Sequence, residues 1–433
     1  MISPHFPPDS TAGTHRVRLL APHLASHGWE PTVLTVDPRD YEGRLDPALA
    51  ASVPSSLRVV RVRAWPAGLT RPIGFGDLGL RAFDGLWREA SHLLGRDRFD
   101  ALFITIYPAY TALLGPLLKK RFSVPFVLDY QDPWVGEWGR SVGAGTNGRP
   151  DARSRFTRLV AERLEPLALR AADAVTAVSR GTYEPALERN QAARPIATAE
   201  LPIGWDARDL AFLRANGAAT RAIPCGDGLL HIAFVGTLLP TAHETLRTFF
   251  AGLVRFRERA PGAANAIRVH FFGASNQRSA DAPLSVAPVA RTFGLEEVVT
   301  EAPERLNYFD ALRALDDASA VLLLGGNEPH YTPSRVFTAI LSGRPLLAMY
   351  HVESTATDLL RRFGGPPAVH LIGFGPDRQV GECVGEVCAA LAALSSHPSY
   401  SPGQVDRSVL EPSSAPALAG RLAAIFDRVA ARH

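Results

Sequence analysis

Polar side chains suited to chemistry stand directly before an apolar helix and strand in the stretch from His330 to Met349. Thr332, Pro333 and Ser334 spell a turn, and Arg335 follows in the first helical turn. Ser334 is placed to cap the helix, whose apolar stripe is Val336, Phe337, Ile340 and Leu341. Gly343 ends the helix, and Pro345 to Met349 reads as a buried parallel strand. Free backbone N–H groups, a hydroxyl and a guanidinium at one helix start make an anion site. The plainer reading of the same stretch is a capped core helix with a solvated arginine.

The elements that must position such a site come from hydrophobic period. Strands are expected at 32–36, 59–62, 100–105, 125–129 and 174–178, then at 230–235, 267–272, 320–324, 345–349 and, more weakly, 368–372. Helices are expected at 81–94, 107–118, 153–171, 243–259, 284–293, 308–317, 334–342, 354–362 and 415–431. This alternation in both halves predicts an α/β chain of two doubly wound Rossmann-like domains. A chain of 433 residues exceeds one ordinary core. The mixed, turn-rich stretch 206–228 marks the junction. The expected domains are 1–205 and 206–412, with a last helix in 413–433 packing back on the first. Only Met1 and Ile2 stand where a first strand belongs, so the start is either truncated or a very short strand. If the domains face each other, the strand-end loops 9–16, 129–134, 179–181, 236–243, 273–278 and 330–335 line one cleft.

Composition removes several classes of function. The net charge of +3 is small, and no basic run stands out, which argues against nucleic acid as partner. Lys119 and Lys120 are the only lysines. Cys225, Cys383 and Cys388 form no CxxC, which argues against zinc and disulfides and for a reducing compartment. No apolar run has the length of a membrane span, and the start lacks a signal peptide, so a cytoplasmic location is expected. The expected helix 153–171 carries Arg153, Arg155, Arg158, Arg163 and Arg170 beside an apolar stripe. Peripheral contact with acidic lipid at the inner membrane face is one reading of it; a solvated helix face is the plainer one. No GxGxxG follows a strand, and Walker A, HExxH, GxSxG and kinase patterns are missing.

A family resemblance rests on segments in order along the chain. Phe6-Pro7-Pro8 with Gly13 and Arg16 resembles the first loop of family 4-like glycosyltransferases of the GT-B fold. Asp129 to Trp134 resembles that family's DxxDPW segment, and Ala172 to Ser179 its ADAVTAVS strand. Leu201 to Asp206 stands where the family has PNGxD, and Phe234 to Leu238 resembles FVGxL. Thr332 to Phe337 with Ser342 to Pro345 resembles TPSKLFEYLAAGKP. The resemblance implies GT-B architecture, two domains facing across a cleft, and transfer of a sugar from a nucleotide-diphosphate donor to an acceptor hydroxyl. That donor is a co-substrate; no cofactor or metal is required. It implies donor contacts at Gly13, Arg16, Gly236, Thr237, Arg278, His330, Thr332, Pro333, Ser334, Arg335 and Thr338.

This chain departs from the family at His330 and Thr338, where many members carry glutamates. A threonine gives one hydrogen bond to a ribose, not the paired acceptance of a carboxylate. The Arg and Lys that many members use on the diphosphate are missing after Gly236, and Arg278 or Arg335 is the expected substitute. If the anomeric centre inverts, a base must take the acceptor proton, with Asp132 the first choice and His15 the second. Retention, which demands no side-chain base, is favoured over inversion. Two other readings stay open: a non-catalytic GT-B protein that binds a sugar nucleotide or partner, and a sugar-nucleotide epimerase.

Overall fold

The computed structural model describes residues 1–73, 76–135, 152–216, 222–277, 283–327 and 334–433. The chain divides into two compact units, Met1–Asp206 with Ser413–His433, and Ala207–Pro412. Each is built on a parallel sheet.

The first unit contains β1 (Thr32–Val36), β2 (Arg58–Val62), β3 (Leu102–Ile106), β4 (Phe126–Tyr130), β5 (Ala174–Ala177) and β6 (Ala197–Glu200). β1 pairs with β2, and β3 to β6 pair in sequence order. Ile2 joins the two groups, bridging Leu34 of β1 and Ile104 of β3 in parallel. Its amide donates to the Phe103 carbonyl at 2.7 Å, and the Leu34 amide donates to the Met1 carbonyl at 2.8 Å. The order is therefore β2-β1-Ile2-β3-β4-β5-β6, with one residue serving as the first strand.

β3 and β4 are buried on both faces, as side-chain alternation in a covered parallel sheet requires. Ile104 and Leu128 pack in one core with Leu86 and Ala90 of the helix Leu78–Arg96. Phe103 and Val127 pack in the other, against Leu418, Leu422 and Phe426 of the last helix, Ala415–Ala430. Ser414 caps that helix by accepting from the Ala417 amide at 3.3 Å. The Trp29 indole N–H reaches Asp427 at 2.9 Å.

The second unit contains β7 (Leu230–Val235), β8 (Ile267–Gln277), β9 (Val299–Glu304), β10 (Ala320–Leu324), β11 (Leu346–His351) and β12 (Val369–Phe374). Their order is β12-β11-β10-β7-β8-β9, and every pairing is parallel. β9 was not expected, and β8 is longer than the 267–272 run. Its register breaks after Phe272, where Gly273 takes a φ of 72°. The helices Arg180–Arg189 and Ala207–Asn216 were not expected either, and the helix expected at 284–293 shortens to Ala287–Thr292. Among the described residues no helix is long and apolar enough to cross a membrane.

Candidate functional site

In a doubly wound sheet, ligands bind beyond the strand carboxyl ends where the strand order reverses. The first unit reverses between Ile2 and β3, the second between β7 and β10. The loops leaving these strands carry the polar groups of interest.

In the first unit a cavity of about 430 Å³ opens at that point. His5 enters it from the loop after Ile2, Tyr107 and Tyr110 from the loop after β3, and Asp132 and Trp134 from the loop after β4. Asp77 and Glu42 add carboxylates, and Thr157 and Ala161 of the helix Ala152–Leu169 close one side. The helix-capping carboxylate of Asp77 accepts from the Leu80 amide at 3.0 Å. Burial raises its pKa, against the pull of backbone N–H groups and of His5. Atoms packed around Asp132 raise its carboxyl above the ordinary value too. The Asp132 side chain is nevertheless open to solvent, so water screens that effect.

His5 Nδ1 lies 2.7 Å from Oδ2 of Asp9. Asp9 is itself buried and accepts from the hydroxyls of Thr11 and Thr14. Burial alone would raise the Asp9 pKa, but the bond and charge of His5 and the two threonine hydroxyls bring it below the usual value. The His5 ring is flanked by Tyr41, with centroids 6.1 Å apart, and Tyr107, at 5.3 Å. Sequence reading passed over this pair as part of a proline-rich loop. The available signal was a histidine four positions before an aspartate at a strand end.

Other expected residues of this unit have different places. Gly13 packs under Tyr107, and a Cβ there would overlap the ring, so it serves the cavity wall. His15 Nδ1 takes the Arg18 guanidinium at 3.1 Å, and His15 is not on the cavity wall. The expectation of a donor contact from Arg16 needs correction. Its side chain is 1% exposed, its Nε stands 2.8 Å from the Asp129 carboxylate, and Nη1 donates to the Leu201 carbonyl at 2.6 Å. Asp129 in turn accepts from the Thr176 hydroxyl at 2.7 Å. Arg16 ties the helix Thr14–Leu20 to β4 and to the end of β6.

In the second unit Gly236 follows β7 with a φ of 115°, a conformation that suits glycine. Its amide donates to Phe272, and the Leu238 amide to Ala274, both at 2.9 Å, so the loop is fastened to β8. Thr237 stands between them, half-buried. Arg335 lies over the Phe234 ring with its guanidinium carbon 5.0 Å from the centroid. Its Nη1 is 3.9 Å from where a Gly236 Cβ would be, and is buried without a hydrogen-bond partner among the described residues. Gly236, Thr237 and Arg335 therefore come together at the switch point.

Ser334 does not cap the helix. It has helical dihedrals and no side-chain cap bond, and the helix runs from Arg335 to Leu341. The Thr338 hydroxyl donates back to the Arg335 carbonyl at 3.0 Å, a bond within its own helix. Arg278, His330, Thr332 and Pro333 lie outside the described residues. Gly325 and Gly326, after β10, were missed. The Gly325 carbonyl accepts from the Thr245 hydroxyl at 2.8 Å, and a Cβ on Gly326 would overlap Thr241. A pair of glycines directly after a buried strand was the signal. A larger groove of about 680 Å³ runs beside the edge strand β12, between His370 and Ala393. It lies away from the switch points and gathers mostly small apolar side chains, so it is not the candidate site.

The sheet orders are those of a GT-B type fold, two doubly wound units each with a switch point. Residues 11–203 are similar to the glycosyl transferase 4-like domain. Among solved structures, HepE of Anabaena in complex with UDP-glucose is similar over 99% of this chain and 98% of its own, at 14% identity and a TM-score of 0.52. A glycosyltransferase of Rickettsia africae is similar over 99% and 98%, at 9% identity and a TM-score of 0.55. At such identities the likeness shows the fold. No curated protein matches the chain.

Proposed function

We propose that the chain is a glycosyltransferase that moves a sugar from a nucleotide-diphosphate donor to an acceptor hydroxyl, without a metal. The second unit holds the donor and the first takes the acceptor. The observation that carries this reading is Arg335: a guanidinium with a buried, unpartnered N–H beside Gly236, at the switch point of a Rossmann-type sheet. An unmet N–H of a charged group is costly unless a ligand meets it, and a phosphate oxygen does so well. Arg335 then stabilises the charge that builds on the leaving β-phosphate.

HepE is described in complex with UDP and with UDP-glucose, so a uridine nucleotide is the first ligand to test. Titration calorimetry on the whole chain should show UDP binding. Arg335→Ala should weaken it by about 10- to 150-fold, as loss of a charged hydrogen bond of about 1.5–3 kcal/mol implies. Equal affinity in both proteins would remove Arg335 from the site and the donor assignment with it.

A further inference from the structure

Two helices cover one face of the first unit's sheet and turn apolar and cationic side chains away from it. Leu114 and Leu118 of the helix Leu114–Phe122, and Ala161 and Ala168 of the helix Ala152–Leu169, pack in one core with Ile104 and Leu128. The two helices also touch each other, so their outer faces point the same way. On the longer helix the larger part of the apolar stripe does not enter the core. Phe156 is 67% exposed, Leu167 58% and Leu159 44%. Arg155, Arg163 and Arg170 are exposed among them, and the Arg170 amide continues the helical turn by donating to the Pro166 carbonyl at 3.1 Å. At about 100° per residue these positions fall within about 120° of one another, so a ring, two leucines and three guanidinium groups share one face. The neighbouring helix adds Leu117, 44% exposed, with Lys120 and Arg121 exposed beside it. That helix has no acidic residue. On the longer one Glu162 is held by Arg158 at 2.9 Å, and Glu165 is buried.

An exposed leucine by itself is ordinary; four large apolar side chains gathered on one surface mark a docking site. We propose that this surface rests the first unit on a membrane rich in anionic phospholipid. Phe156, Leu159, Leu167 and Leu117 enter the boundary between head groups and acyl chains. The arginine stems lie along that apolar layer while their guanidinium groups stay level with the lipid phosphates. Charge complementarity decides the partner: the surface is cationic, and its exposed carboxylate is already paired. Nucleic acid fits less well, because the face offers it one ring for stacking and leucines elsewhere. Among the described residues no helix is built to span the bilayer, so the contact is a reversible one at its surface. The inference goes beyond the transferase reading and does not need it.

Cosedimentation of the whole chain with vesicles tests this, with phosphatidylcholine alone and with an equal mixture of phosphatidylcholine and phosphatidylglycerol. The chain should sediment with the mixed vesicles and stay in solution with phosphatidylcholine alone. Arg163→Gln combined with Arg170→Gln should weaken binding about 30-fold at low salt, about 5-fold for each cation removed. That loss should shrink at high salt, where exposed charges are screened. Phe156→Ser combined with Leu167→Ser should weaken binding at least about 10-fold at low and high salt alike, because apolar insertion is not screened. All four side chains are exposed, so an unchanged melting temperature should show that each double variant is folded. No sedimentation with the mixed vesicles, or equal sedimentation with both compositions, would overturn the proposal. Binding that neither double variant weakens would overturn it too. So would binding that only the arginine variant weakens, the pattern of a surface made for an acidic protein. A chain that docks on the mixed vesicles as described yet neither binds nor consumes a sugar nucleotide would keep this inference and sink the transferase reading alone.

Discussion

Arg16 shows how one residue's role depends on partners the local sequence does not reveal. Its contacts, Asp129 and Leu201, lie far along the chain. A motif comparison alone puts it at the ligand; burial puts it in the frame. Removing one member of a buried ion pair leaves the other charge uncompensated, so Arg16→Ala should destabilise the unit by about 3–5 kcal/mol, read as a fall in the denaturation midpoint. Asp9 gives a pH signature. Its folded pKa lies below the ordinary 3.8, so its ionised form contributes stability above that value and loses it as pH falls through the folded pKa. The stability difference between the wild type and Asp9→Asn should therefore shrink between about pH 5 and about pH 2. A difference that stays constant across that range would contradict the placement of Asp9. The Thr338 hydroxyl bonds within its own helix, and a glutamate at this position would offer a nucleotide ribose the paired acceptance of a carboxylate. Thr338→Glu should tighten UDP binding; unchanged affinity would mean that the helix only supports the sheet.

At the scale of elements, the buried parallel strands were legible because a strand covered on both faces is a nearly unbroken apolar run. Leu102 to Ile106 and Ala320 to Leu324 are such runs, and both are strands. The sheet-edge strand β9 was not legible: Thr300, Glu301, Pro303 and Glu304 give it neither an apolar run nor a clean alternation. Glu301 has another task there, accepting from the Val286 and Ala287 amides at 2.9 and 2.8 Å and so holding the start of the preceding helix, Ala287–Thr292. Helix Arg180–Arg189 was hidden by Pro185, which ordinarily argues against a helix interior. The last helix was readable from its stripe and cap, and its partners on the first unit's sheet make it part of that core. Leu422→Ala, at a fully buried position, should cost about 2–5 kcal/mol. Ending the chain after Pro412 should lower the first unit's melting temperature far more, since Phe103 and Val127 lose the apolar side chains packed on them; an unchanged melting curve would show the helix to be a passenger.

At the scale of the whole molecule, the two-unit plan was legible because strand–helix alternation restarts after a turn-rich junction, and because weak motifs occur in the right order. None of those motifs alone is specific, and at 14% identity the likeness to HepE is one of fold. The proposed donor role rests on Arg335 with Gly236 in the second unit. Because many chemistries share this fold, turnover decides between a transferase, an epimerase and a binder. The most direct measurement is release of UDP and fate of the sugar when the purified chain is incubated with a panel of UDP-sugars, with and without glycoside acceptors. The account predicts UDP release with at least one donor, stimulated by an acceptor, and a sugar newly linked to that acceptor. Conversion of the donor sugar with UDP still attached, or binding of UDP with no release under any acceptor, would contradict it.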